Sequence, residues 1–411
     1  MGFPVEDVRR EFPVLVNRAV KRPFRYFDSA CVTLRPRAVI DAVREYYESF
    51  PGCHGRAVYR LGREVTRRYD EAHAAAADLI GARSPSHVIF LRNATEGINA
   101  VCQALDFQPD QVVLSSDIEH NSNLLPWQAA AGKKRLVHRI FPTREDGTFD
   151  LGMFQRDFPA NCRLLAVHAT SNVTGASLPL EAIVGEAHAR EALVLVDAAQ
   201  SMVTSPPDVG RLGVDFLVFS AHKMFGPSGL GVLYAAPHAQ QMMQPWMLGG
   251  EAVTDASYAG HTLAEAPDRW EAGLQDYAGA CGLTAAIRFL RALDREALLE
   301  HLTALNRRLS EGLAALPGLH LLGPADPAER PAIVNVVIDG IDAHHVAALL
   351  DDAAGVMVRS GMHCCHAWYR ARRVPESVRF SLSVYNTREE VEVAIDTLRK
   401  ILRHLRRGGP R

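Results

Sequence analysis

The stretch Val214–Leu233, VDFLVFSAHKMFGPSGLGVL, decides the fold. Phe216-Leu217-Val218-Phe219 is a short apolar run of the kind that makes a buried strand. The chain then turns polar at Ser220-Ala221-His222-Lys223 and enters a loop with Gly226, Pro227, Gly229 and Gly231. Open α/β sheets bind ligands outside the carboxyl ends of their strands, which is where Lys223 falls. A lysine there is either an ordinary strand-end residue facing water or, desolvated, an amine nucleophile of lowered pKa. Upstream, Ala192–Ser201 (ALVLVDAAQS) repeats the pattern, with Leu193–Val196 as a buried strand closed by Asp197. Two strand ends thus offer a carboxylate and a lysine, with Gln200, Ser220 and His222 beside them.

That arrangement suits pyridoxal phosphate, which needs a carboxylate for its pyridine nitrogen, a lysine for its aldehyde and donors for its phosphate. Asp197 and Lys223 fit the first two needs. VDAAQS and SAHKMFGPSGLGVLY resemble the class V aminotransferase family of fold-type I pyridoxal-phosphate enzymes, and within it the cysteine desulfurase and selenocysteine lyase branch. The resemblance runs from Tyr26-Phe27-Asp28-Ser29-Ala30 to Tyr385-Asn386-Thr387.

Apolar and charged fractions are those of a soluble globular protein, and a cytoplasmic location is the default expectation. The 411 residues suffice for two domains, and a net charge of −2 gives no support to nucleic-acid or membrane binding. No apolar run approaches a membrane span, and MGFPVEDVRREF lacks a signal-peptide core. Seven scattered cysteines without a CxxC pair argue against a disulfide framework and against structural zinc. The basic tail from Arg403 is expected to fray.

Along the chain, strands and helices alternate through residue 233, which predicts a mainly parallel sheet wrapped by helices. Arg63–Ile80 reads as a helix with Val65, Tyr69, His73 and Ala76 on its buried face. A strand over His87–Leu91 feeds the turn Asn93-Ala94-Thr95-Glu96-Gly97, which opens a helix. Such a turn is either a plain N-cap by Asn93 or Thr95 or an anion site made by free amides and the helix dipole. The resemblance implies that Ala94 and Thr95 cup the cofactor phosphate, with Ser220 and His222 adding donors. It also implies that His120, in EHNSN, stacks on the cofactor ring and serves as a proton shuttle. Asn172 then faces the cofactor's phenolic oxygen, with Gln200 nearby.

Asp276–Leu293 and Arg295–Leu316 read as long helices leading away from the cofactor-binding part. Ile333–Asp339 and Val356–Arg359 read as strands, and Ser377–Tyr385 as a half-buried alternating strand. Thr387-Arg388-Glu389-Glu390 is a capping box for the last helix. Together these make a smaller α+β unit.

A second chemical centre is Arg359-Ser360-Gly361-Met362-His363-Cys364-Cys365-His366. Adjacent cysteines between histidines are buried and inert, or metal ligands, or a nucleophile; adjacent residues rarely both reach one ion. The resemblance makes Cys364 the nucleophile and Arg359 the arginine of the family pattern. Arg379 is a guanidinium fork suited to a substrate carboxylate, and the resemblance gives it that role, with Ala30 beside the substrate. The short interval from Cys364 to Arg379 is that of the SUF-type group. Gly249-Gly250 and Glu271-Ala272-Gly273 resemble segments at the subunit interface of a homodimer, but Leu274-Gln275 stand where the family has threonine and proline.

The expectation is therefore an α/β, fold-type I enzyme with a large domain over residues 25–285 and a small α+β domain from 1–24 and 286–411. Lys223 and His120 serve catalysis, and a persulfide forms on Cys364 as L-cysteine becomes L-alanine. Expected partners are an amino-acid substrate, a second copy of the chain and a sulfur-acceptor protein. The competing reading is a C–S or C–Se β-lyase with no essential cysteine.

Overall fold

A computed structural model describes residues 2–17 and 23–407. Seven strands form the larger sheet: β1 (Val88–Leu91), β2 (Val112–Ser116), β3 (Val137–Phe141), β4 (Cys162–His168), β5 (Leu193–Asp197), β6 (Phe216–Ser220) and β7 (Gly231–Ala235). Their order across the sheet is β1-β7-β6-β5-β4-β2-β3. The run from β6 to β3 is parallel, and β7 lies antiparallel to both β6 and β1. Every residue of β1, β2, β5, β6 and β7 is buried, as continuous Val/Leu/Phe runs covered on both faces require. The register sets His168 opposite Asp197 at the carboxyl ends of β4 and β5. Ser220 closes β6, and Lys223 follows in a single 3₁₀ turn.

The smaller sheet holds β8 (Leu319–Leu322), β9 (Ile333–Ile338), β10 (Arg359–Gly361) and β11 (Ser377–Ser381) in the antiparallel order β8-β9-β11-β10. The expected half-buried strand over Ser377–Tyr385 is corrected here: pairing stops at Ser381, and residues 377–385 are all buried. Alternation fails because the strand is covered on both faces, with Arg379 against Asn172 on one side. The strand expected over Val356–Arg359 splits in two. Val356–Met357 pairs with Arg25–Tyr26, while Arg359–Gly361 pairs with β11.

Among the helices, Arg60–Leu79 begins three residues earlier than its pattern suggested and buries Val65, Tyr69, His73 and Ala76 as expected. Tyr277–Ala292 packs against it and against Arg37–Ser49, so it stays beside the larger sheet and does not lead away from it. Arg295–Ala314 and Arg388–Arg407 pack on each other in the smaller part. The capping box forms reciprocally: Glu390 N–H donates to Thr387 Oγ1 at 3.2 Å, and Thr387 N–H to Glu390 Oε2 at 3.2 Å. That last helix continues through Arg407, past the point where fraying was expected, and the final residues 408–411 lie outside the described chain.

Candidate active site

The carboxyl ends of β4, β5 and β6 open on a cavity of about 270 Å³, closed on the far side by the loop 361–365 and by β11. All thirteen residues expected to act in catalysis or to bind cofactor or substrate line it.

The floor is made by Asp197 and Lys223. Asp197 is buried, and its Oδ1 accepts the Ala199 N–H at 2.9 Å. Burial raises its carboxyl pKa, with Lys223 and the Ala199 N–H pulling it back. Burial likewise lowers the Lys223 ammonium from its ordinary value, against the pull of Asp197. Each charge is the other's main compensation in a low-dielectric place.

At one end, helix Ala94–Ala104 points its N-terminus at the cavity. Asn93 Oδ1 accepts the Glu96 N–H at 3.0 Å, so Asn93 is the cap. Thr95 is thereby left to the wall, where its hydroxyl meets Ser122 Oγ at 2.7 Å. The Ala94 N–H donates to Ser220 Oγ at 2.9 Å. A Cβ on Gly231 would come within 2.5 Å of Asn93 Cα, so only glycine lets β7 press against this turn. His222 stands beside it, its pKa driven to about 4 by burial and then by Lys223 and Arg35. A first-turn amide end, two hydroxyls and a neutral imidazole suit a phosphate. With the Asp197–Lys223 floor, these residues fit pyridoxal phosphate.

His120 caps its own short turn. The Ser122 N–H donates to His120 Nδ1 at 3.1 Å, which places the ring proton on Nε2. Burial first, then Lys223 and Arg379, push its pKa to about 4. The preceding Glu119 is buried and accepts from Ser116, Asn123 and His168, the last at 2.7 Å.

The opposite end carries the guanidinium and the cysteine. Arg379 is 3% exposed; Nη1 donates to the Asn172 carbonyl at 2.9 Å, Nη2 lies 3.3 Å from Asp28 Oδ1, and Nε has no partner. Arg359, one pair across on β10, is exposed. Gln200 Nε2 donates to the Ala30 carbonyl at 2.8 Å, and the Ala30 N–H to Ser381 Oγ at 2.9 Å, which binds the 28–31 turn to both sheets. Asn172 Nδ2 donates to the His363 carbonyl at 2.7 Å, so this side chain also holds the cysteine loop.

In that loop Gly361, His363 and Cys364 all have positive φ, at 110°, 49° and 58°. Two successive left-handed non-glycine residues are costly and are held by tertiary bonds. Among them are Asn121 N–H to the Cys364 carbonyl at 2.7 Å and His363 Nε2 with Ser377 Oγ at 3.0 Å. The turn exposes Cys364 and buries Cys365 against Ile118, Val173, Trp368 and Tyr369. Burial pushes the Cys365 thiol well above its usual value, so it stays protonated.

Sequence reasoning passed over Asp28, Cys31, Asn93, Ser122 and His363 as cavity or clamp residues. Asp28 stood in plain view in Tyr26-Phe27-Asp28-Ser29-Ala30, which reads as a short strand ending in small residues.

The aminotransferase class-V family matches residues 25–393. The chain belongs to that family. This class-V member is 36% identical over 405 residues to a cysteine desulfurase of Serratia proteamaculans, covering 98% of this chain and 99% of the relative. Its fold matches a cysteine desulfurase of Thermococcus onnurineus NA1 with a TM-score of 0.93 and 33% identity, over 98% of this chain and 99% of that one. A cysteine desulfurase of Escherichia coli follows at a TM-score of 0.90 and 30% identity, over 98% and 99%. The class-V chain has the fold-type I architecture, with its large and mostly parallel central sheet.

Proposed function

We propose that this chain is a pyridoxal-phosphate-dependent cysteine desulfurase, which converts L-cysteine to L-alanine and takes the sulfur onto Cys364 as a persulfide. The observation that carries the reading is that Lys223, Asp197, Arg379 and Cys364 share one cavity. Bound pyridoxal phosphate supplies an electron sink for the substrate's α-carbon. Asp197 is the carboxylate that would keep the ring nitrogen protonated. Ala94, Thr95, Ser220 and His222 would hold the phosphate, Asn172 and Gln200 would orient the ring, and His120 would stack against it, with Nε2 as its donor.

Lys223 Nζ is the amine that would hold the cofactor aldehyde, and its burial-lowered pKa suits it to take the substrate's α-proton and return it. Arg379 receives the substrate carboxylate, with Arg359 and Ala30 beside it. Cys364 Sγ attacks the substrate sulfur. An S–S bond forms, the substrate's C–S bond breaks, and the electron pair left on carbon is protonated to give alanine. Exposure of Cys364 leaves the persulfide within reach of an acceptor protein.

The same reading divides the chain into a cofactor-binding domain, residues 25–285, and a small domain of 1–24 and 286–411, with Arg25–Tyr26 paired across the division to Val356–Met357. It places the enzyme in the cytoplasm; no described helix is long and apolar enough to cross a membrane. It also makes the enzyme a homodimer. Leu248 and Leu274, close to Gly250 and Gly273 in sequence, expose apolar side chains near the Gly250–Gly273 contact, where the Gly273 N–H donates to the Gly250 carbonyl at 2.7 Å. A second copy covers them, with Leu274 packing where a hydroxyl contact is absent.

Product analysis with L-cysteine, selenocysteine and S-substituted cysteines tests the reading. Alanine from cysteine is the expected product; pyruvate with ammonia, retained after loss of Cys364, establishes the β-lyase in its place.

A further inference from the structure

Beyond the groups given roles above, a buried ion pair lies beside the cavity floor. The Glu119 carboxylate is buried and receives four donors. Its Oε1 accepts from Ser116 Oγ, from the His168 N–H at 3.2 Å and from His168 Nδ1 at 2.7 Å. Its Oε2 accepts from Asn123 Nδ2 at 2.8 Å, and Trp127 Nε1 fixes Asn123 Oδ1 in turn at 3.1 Å. A carboxylate so surrounded acts as an acceptor only and has no use for a proton of its own. Among the described residues, His168 is the one cation within ion-pair distance of it. An isolated buried carboxylate is costly, so the imidazole carries the compensating charge, with its Nδ1–H on Glu119. Burial opposes both charges, yet Glu119 is held below its usual pKa and His168 above its own.

The pairing of β4 with β5 sets this histidine directly opposite Asp197. Paired residues of neighbouring strands share one face of the sheet, and both side chains line the cavity. The two groups therefore attract one another across the strands. The other charged groups that act on Asp197 are Lys223, which attracts it, and Glu119, which repels it. Asp117, which also faces His168, is paired with Arg372 at 2.8 Å. Cys365, near Glu119, is a neutral thiol.

We propose that His168, held as a cation by Glu119, is a positioning residue that acts through Asp197 to keep the cofactor's ring proton on the ring nitrogen. The proposal rests on the reading of Asp197 as the partner of that nitrogen. A proton between a carboxylate and a pyridine nitrogen belongs to one or the other. Moving it onto Asp197 brings positive charge toward His168, and the imidazolium opposes that move. Carboxylate with pyridinium is thereby favoured over the neutral pair, and the ring keeps its electron demand. Without the His168 charge, burial of Asp197 beside Glu119 works the other way and favours the protonated carboxyl.

The test is NMR of holoenzyme loaded with pyridoxal phosphate that carries heavy nitrogen in its ring, because the chemical shift of that nitrogen reads where the proton sits. The wild type gives the pyridinium signal. His168→Gln keeps a donor for Glu119 but no charge. It shifts the proton's partition toward Asp197 by roughly tenfold, the effect of one nearby charge on a short proton displacement in partly screened surroundings, and the signal moves toward the pyridine value. Glu119→Gln removes the counter-charge, leaves His168 neutral and moves the signal the same way; this arm stands even if His168→Gln does not fold. A role for the pair in stability alone lowers the unfolding temperature or the cofactor content and leaves the signal of the loaded protein in place. A signal unmoved in either variant that folds and binds the cofactor, or a pyridine signal already in the wild type, overturns the proposal. If Asp197→Asn keeps the wild-type signal, the reading of Asp197 itself has failed, which is a separate result.

Discussion

Replacing Arg379 by lysine keeps a positive charge beside Asp28 but removes the planar fork. Arginine here makes two anchoring contacts, Nη1 to the Asn172 carbonyl at 2.9 Å and Nη2 to Asp28 at 3.3 Å, with Nε free. An ammonium cannot reproduce that geometry, so the substrate carboxylate keeps one charged hydrogen bond at most in place of two. Loss of one such bond costs about 1.5–3 kcal/mol, which corresponds to a rise in the KM for L-cysteine of about 10- to 150-fold. The rate at saturating cysteine changes less, because Lys223, Asp197 and Cys364 are untouched. The assay is alanine formation against cysteine concentration, with thermal unfolding and cofactor content measured on the same preparation. A folded variant with full cofactor and a KM within twofold of the wild type refutes the clamp.

Reduction of the holoenzyme with borohydride fixes the cofactor on Lys223 and on none of Lys21, Lys133, Lys134 or Lys400, and Lys223→Ala loses the yellow colour; a peptide labelled at another lysine contradicts this. Sedimentation gives a dimer at assay concentration, and Leu274→Asp weakens it; a fully active monomer contradicts the interface. The buried Glu119–His168 pair gives a pH signature. Burial opposes ionisation of Glu119, but His168, Ser116 and Asn123 outweigh it and hold its pKa below the usual value, so its stabilisation is present above about pH 4.3 and lost as pH falls through the lower folded value. Burial opposes the His168 charge too, yet Glu119 raises its pKa, so that stabilisation is full below about pH 6.5 and lost as pH rises through the raised folded value. The stability lost in Glu119→Gln is therefore greatest between about pH 4.3 and 6.5 in denaturant unfolding, and a pH-independent loss refutes the assignment.

Much of this was legible because parallel sheets write their strands as unbroken apolar runs and place chemistry at the carboxyl ends. Asp197, Ser220 and Lys223 follow from that rule, and the helix N-terminus at Ala94 from its cap. What depended on distant contacts was not legible. Asp28 meets Arg379 across 351 positions, and Asn172 meets the His363 carbonyl across 191. No local pattern encodes either pairing. The resemblance picks Cys364 over Cys365, but the conformation that enforces the choice was hidden. It is a left-handed φ at His363 and Cys364, held by bonds from Asn121 and Ser377. Alternation misled at Ser377–Tyr385 because Ser377, Arg379 and Ser381 are buried polar residues with partners outside the strand.

The most direct measurement is mass spectrometry of the protein after one turnover with L-cysteine, on the wild type and on Cys364→Ser and Cys365→Ser made singly and together. The account predicts one added sulfur on Cys364, alanine as the product, loss of both in Cys364→Ser, and retention of both in Cys365→Ser, whose thiol is buried and protonated. Sulfur on Cys365 alone, or undiminished turnover to pyruvate in the double variant, contradicts it.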